Sequence, residues 1–100
     1  MSMSNYRNSK LLEAMRELPC ALCGAEDGTV VAAHANQLRF GKGRSIKAHD
    51  WAAAALCFNC HTEIDQGTKF SKAEKFQFWE VAFFKTLHLL WDRKIIEVRK

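Results

Sequence analysis

Apolar positions along the chain recur at helical spacing in some stretches and run together in others, and the changes mark out its elements. Leu11, Leu12, Met15 and Leu18 recur at helical spacing. Asn8 or Ser9 can cap that helix, and Pro19 ends it at about residue 18. Glu26-Asp27-Gly28 reads as a turn before the β-branched run Thr29-Val30-Val31, which predicts a strand over about 29–33 with His34 at its end. Residues 36–50 have no period and contain Gly41 and Gly43, so they predict an exposed loop. The stretch from Trp51 to Leu56 is alanine-rich, and Asp50 could cap a helix there. Its approach to a cysteine pair argues for extended chain instead, and we read a short strand.

A short helix follows over about 59–66, ended by Gly67, and Ser71 opens a long helix to about residue 91. Residues 94–98 predict a closing strand at a sheet edge. In the long helix Ala73, Phe76, Trp79, Phe83, Leu87 and Leu90 form a stripe that reads first as core. Phe78, Ala82 and Leu89 fall on a second side. That leaves two readings open, a helix buried between layers and a homodimer contact.

The 100 residues predict one α+β domain over 1–100, with a helix at 8–18, a core at 20–67 and a closing helix and strand at 71–98. Leu38, Phe40, Trp51, Phe58 and the aromatic C-terminal third supply the bulk for its interior. The N-terminal residues are polar and lack the apolar centre of a secretory leader. The longest apolar stretch is interrupted by Glu80, Lys85 and His88, too polar for a membrane span. These features predict a cytoplasmic protein with no membrane partner.

All four cysteines fall in two C-x2-C units, Cys20/Cys23 and Cys57/Cys60. In a reducing compartment such pairs are metal ligands rather than disulfides, and two pairs supply the tetrahedral thiolate set of a structural Zn2+. The formal charge is +4, and four thiolates with one Zn2+ change it by −4 + 2, so bulk charge says little. Local charge says more: Arg39, Lys42, Arg44 and Lys47 cluster in the glycine loop, which suits either phosphate contact or a solvated turn. His61 follows Cys60 directly, and Asp65 lies one helical turn beyond on the same face. Cys57-x2-Cys60-His61 is also a haem-attachment string, but that chemistry is expected of an exported chain. His61 could also replace a cysteine in the zinc shell, and His49 and His88 read as structural or solvent-facing.

Cys20-x2-Cys23, Ala33-His34, Gly41-x-Gly43, Lys47, Asp50 and Leu56-Cys57-x2-Cys60-His61-x-Glu63-Ile64-Asp65 together resemble the HNH, or His-Me finger, endonucleases. More narrowly they resemble the small prophage nucleases of the YbcO type, and more distantly recombination nucleases of the Ref kind. The resemblance covers roughly residues 20–67. It implies a zinc-stapled ββα-metal core that hydrolyses phosphodiester bonds of DNA, in phage recombination or DNA processing, with a recombination protein as a further partner. By the same resemblance His34 is the general base, Asp50 orients it, and His61 and Asp65 hold a catalytic Mg2+ or Mn2+, with Zn2+ as an alternative. Many members carry a metal ligand immediately before the base, where this chain has Ala33. The shell would then be completed by Glu63, water or substrate phosphate. The alternative class is a zinc-stapled nucleic-acid or protein binding module without turnover.

Overall fold

The computed structural model describes residues 5–36, 40–43 and 46–99. In chain order its elements are α1 (Ser9–Arg16), β1 (Val31–His34), β2 (Ala53–Leu56), α2 (Phe58–Gln66) and α3 (Lys72–Asp92). The Asn8 side chain accepts the Leu11 N–H at 3.0 Å and starts α1, which ends two residues before the expected point. Glu17 and Leu18 donate to Ala14 and Met15 carbonyls in a tighter last turn, because the residue before a proline is driven out of helical geometry.

β1 and β2 pair antiparallel, with Val31 opposite Leu56 and His34 opposite Ala53. β1 begins later than its β-branched run suggests because Thr29 bonds elsewhere. Its N–H and hydroxyl both donate to Asp27 Oδ1, at 3.0 and 2.6 Å, and its hydroxyl oxygen accepts the Phe58 N–H at 2.9 Å.

The alanine run is a strand, and all four residues of β2 are fully buried. Side chains alternate between faces, so both faces of β2 are covered. Helix α3 packs on β2, while α1 lies against both strands. The methyl side chains let these layers approach closely. The edge of β2 away from β1 is also satisfied. Ala55 O accepts the Ala21 N–H at 2.8 Å, and the Ala55 N–H donates to Thr86 Oγ1 at 2.9 Å, whose own proton goes to Ala82 O at 2.7 Å. Alanine's helical preference is weak against a buried ladder with both edges filled.

α3 starts on a reciprocal cap. Ser71 Oγ accepts the Glu74 N–H and Glu74 Oε1 accepts the Ser71 N–H, at 3.1 and 2.9 Å. Its buried residues are Trp79, Ala82, Thr86 and Leu90. The expected stripe is therefore rotated: Phe76 and Phe83 are partly buried against the core, whereas Ala73 and Leu87 are exposed. Trp51 and Phe58, expected inside, are 45% and 63% exposed; Leu38 lies outside the described residues. Phe40 does reach the interior, 5.5 Å from the Trp79 ring and 6.2 Å from Phe83.

The strand expected at 94–98 does not form. Lys94 takes a left-handed φ of 59°, and the N–H groups of Ile95 and Ile96 donate back to Leu90 O. The donors that a strand would need are spent closing α3. Among the described residues no helix is long and apolar enough to cross a membrane.

Thr86 carries the hydrogen bond between α3 and β2, so Thr86→Val should strand the buried Ala55 N–H at a cost of about 1–3 kcal/mol. In a thermal melt that is a drop of roughly 5–15 °C, with Thr86→Ser staying near the parent. Equal melting points for the parent and the valine variant would remove this bond from the fold's supports.

Candidate metal centre and active site

Pro19 delivers the chain into a knuckle in which Gly24 N–H donates to Cys20 O at 2.9 Å and Cys23 N–H reaches Cys20 Sγ at 3.5 Å. Gly24 closes the turn at a φ of +82°, a conformation costly for any residue with a Cβ. Cys57 is the N-terminal flanking residue of α2 and Cys60 lies in its first turn. The ligand sulfurs of Cys20, Cys23, Cys57 and Cys60 all lie within 4.8 Å of one another, and Cys23 and Cys57 are 3.7 Å apart. A tetrahedral ion with Zn–S bonds of about 2.3 Å needs sulfurs roughly 3.8 Å apart, so the set fits zinc.

The chemistry of the donor set agrees. Burial pushes the Cys20 thiol up, but backbone N–H groups of Cys23, Cys57 and Leu22 outweigh it and bring the pKa down to about 6. Burial, with the neighbouring sulfurs adding to it, pushes Cys57 and Cys60 up. One thiolate is favoured and further ones are opposed, which is the charge problem that a divalent cation relieves. Among the described residues these sulfurs are the one group of three or more His, Cys, Asp or Glu ligand atoms drawn so close.

The sulfurs stand at the Val31/Leu56 end of the strand pair and His34 at the other. Three residues of strand separate those ends, roughly 10 Å. From Cys57 to Asp65 a helix rises about 12 Å, so α2, which packs on β2 and α3, returns the chain to the His34 end. There a cleft of about 360 Å³ is lined by His34 at the end of β1 and Asn36 just beyond it, His61, Ile64 and Asp65 from α2, and Lys72, Lys75, Phe76 and Trp79 from α3. The Trp79 indole N–H donates to Ala33 O at 2.9 Å and fixes the backbone beside His34.

His34 Nε2 lies 2.9 Å from Asp50 Oδ1, and the two side chains are 16% and 5% exposed. Burial alone would raise the Asp50 pKa; the hydrogen bonds from His34 and the Asn8 N–H, with the charges of His34 and Arg7, outweigh it and hold the carboxyl below its usual range. An ionised carboxylate only accepts, so Nε2 carries a proton, and in the neutral imidazole the lone pair is then on Nδ1. Asp50 is in turn held by the chain start. Asn8 N–H donates to its Oδ2 at 2.7 Å, and Arg7 Nη1 donates to Oδ1 at 3.4 Å and to Ala48 O at 2.7 Å. Asn5 ties Gly41 O and Lys47 O at 2.6 and 2.8 Å.

His34, His61 and Asp65, expected to act together, share this cleft; Asp50 touches it through His34. Glu63 does not line it. Its Oε1 is buried without a hydrogen-bond partner among the described residues, and its carboxylate is not drawn together with His61 and Asp65 into one ligand group. Gly67 ends α2 as expected, with an ordinary φ of −65°, so backbone conformation is not why a glycine stands there. Space is the reason, since a Cβ there would lie 2.5 Å from Glu63 O. Lys42 and Lys47 do not line the cleft, and Arg39 and Arg44 lie outside the described residues. His49 accepts the Tyr6 N–H at 3.0 Å and stacks on Trp51, a structural role; His88 lies on the exposed side of α3.

Asn36, Lys72, Lys75, Arg7 and Asn5 went unread as site residues. The lysines had a signal, since a link of five residues between α2 and α3 must bring the start of α3 back beside the end of α2. The contacts of Arg7 span more than forty positions and leave no local pattern. No protein-family model, curated protein or solved structure matches the chain.

A carboxyl held low in the folded state stabilises above its unfolded pKa, and that contribution is lost as pH falls through the folded value. Asp50→Asn should therefore unfold at lower denaturant than the parent at pH 7, with the gap closing below about pH 4. A gap of constant size at pH 7 and pH 3 would show that Asp50 is not ionised in the fold.

Proposed function

We propose that the chain is a metal-dependent DNA endonuclease of the HNH kind, hydrolysing phosphodiester bonds in phage recombination or DNA processing. The observation that carries this reading is the His34–Asp50 pair beside a cleft that His34, His61 and Asp65 line together. His34 Nδ1 takes a proton from water as the water oxygen bonds to phosphorus and the ester oxygen departs. Asp50 balances the imidazolium that results. His61 and Asp65 would hold a divalent ion, which when bound would supply charge neutralisation at the phosphate and the leaving oxygen. One imidazole and one carboxylate form a mixed nitrogen and oxygen set, better matched to Mn2+ or Zn2+ than to Mg2+.

A second reading, a zinc-stapled nucleic-acid or protein binding module without turnover, draws on the cleft's small ligand set. With Ala33 before the base and Glu63 not lining the cleft, His61 and Asp65 would be the protein's whole contribution to a catalytic ion.

His34→Ala should lower the cleavage rate by roughly two orders of magnitude or more while leaving the four-sulfur zinc in place. Loss in His61→Ala or Asp65→Ala should be partly recovered by excess Mn2+, because added metal offsets weak ligation but not a missing proton acceptor. Assays on single-stranded, duplex and branched DNA decide between the two readings. Cleavage that is absent with Mg2+, Mn2+ and Zn2+, or unchanged in His34→Ala, would leave the binding module.

A further inference from the structure

The cations beside the proposed chemistry come from the start of α3, not from the glycine loop. Lys72 and Lys75 line the cleft with His34 and Asp65. Lys72 is exposed and forms no ion pair among the described residues. Lys75 donates to Gly67 O, which fixes its ammonium at the cleft and leaves two of its three N–H donors free. Ile64 and Phe76 form an apolar wall beside them. Phosphate-seeking cations next to an apolar surface match a nucleic-acid strand whose sugar and base faces are unpaired. A paired duplex offers phosphates but keeps its base faces stacked inside, and a cleft of about 360 Å³ has room for one nucleotide unit.

We infer that the cleft binds a single nucleic-acid strand, with Lys72 and Lys75 on its phosphates and Ile64 and Phe76 against a sugar or base. The inference rests on the nuclease reading for which phosphate is cut, and not for the binding itself. The start of α3 is then a substrate wall as well as an anchor on the core.

The test is fluorescence anisotropy with zinc-loaded protein, a labelled single-stranded oligonucleotide and the duplex of the same sequence, without added Mg2+ or Mn2+. The single strand should bind more tightly than the duplex. Lys72→Ala should flatten the dependence of log K on log salt by about 0.7, and Lys72→Glu should weaken binding by about tenfold or more. Lys85→Ala, exposed on α3 and not lining the cleft, is the comparison and should keep the parent's affinity and salt dependence. Because the Lys72 side chain is exposed, both variants should keep the parent's zinc content and melting point. No strand binding by the parent, tighter duplex binding, or Lys72 variants that behave as the parent does would overturn the inference. Lys72-dependent strand binding without cleavage would sink the nuclease reading alone, and cleavage unaffected by Lys72→Ala would sink this inference alone.

Discussion

Four sulfurs brought together from two distant segments are the constraint on which the rest of the structure depends. The first pair sits in a knuckle whose Ala21 N–H closes the far edge of β2, and the second pair starts α2 directly after β2 ends. A metal on these ligands fixes one end of a very small sheet and the launch point of the helix at once. Two strands of four residues do not make a stable sheet in water unaided, and here one end is clamped, one edge is filled and both faces of β2 are covered. The cleft lies at the opposite end of that unit, so its geometry follows from the angle at which the clamped end sends α2 back along the strands.

A second set of contacts, independent of the sulfurs, governs the other end. Asp50 is a buried carboxylate with three partners from two stretches: His34 at the end of β1, and the adjacent Arg7 guanidinium and Asn8 N–H just before α1. The chain start therefore acts as a strap over the loop that carries Asp50, and through Asp50 it sets which nitrogen of His34 holds the proton. Trp79 contributes from the other side by holding the Ala33 carbonyl. The imidazole is thus fixed from two directions, by ionic hydrogen bonding and by an indole donor on the core helix.

Much of this was legible in the sequence because it rests on short-range signals. The C-x2-C spacing predicted the sulfur cluster, Asn8 and Ser71 predicted their helix starts, and i, i+4 spacing placed His61 and Asp65 on one side of α2. Where the sequence misled, longer-range terms had won. The closing strand at 94–98 gave way to donors turned back on Leu90. The α3 stripe rotated because a threonine, Thr86, was needed inside to meet a buried strand N–H, a demand invisible to hydrophobic periodicity. Trp51 stayed half out because it stacks on His49 instead of entering the core. Gly67 ends α2 as the sequence suggests, but the need for a glycine there comes from Glu63, which leaves no room for a Cβ.

The account makes the cleft a product of the clamp, and that dependence can be measured. Zinc titrated into reduced, metal-stripped protein should restore order with a sharp endpoint at one equivalent. The imidazole signals of His34 and His61 in nuclear magnetic resonance spectra should become dispersed at the same endpoint as the backbone, because one ion sets both the sheet end and the direction of α2. A stripped protein whose histidine signals and backbone are already native before any zinc is added would contradict it.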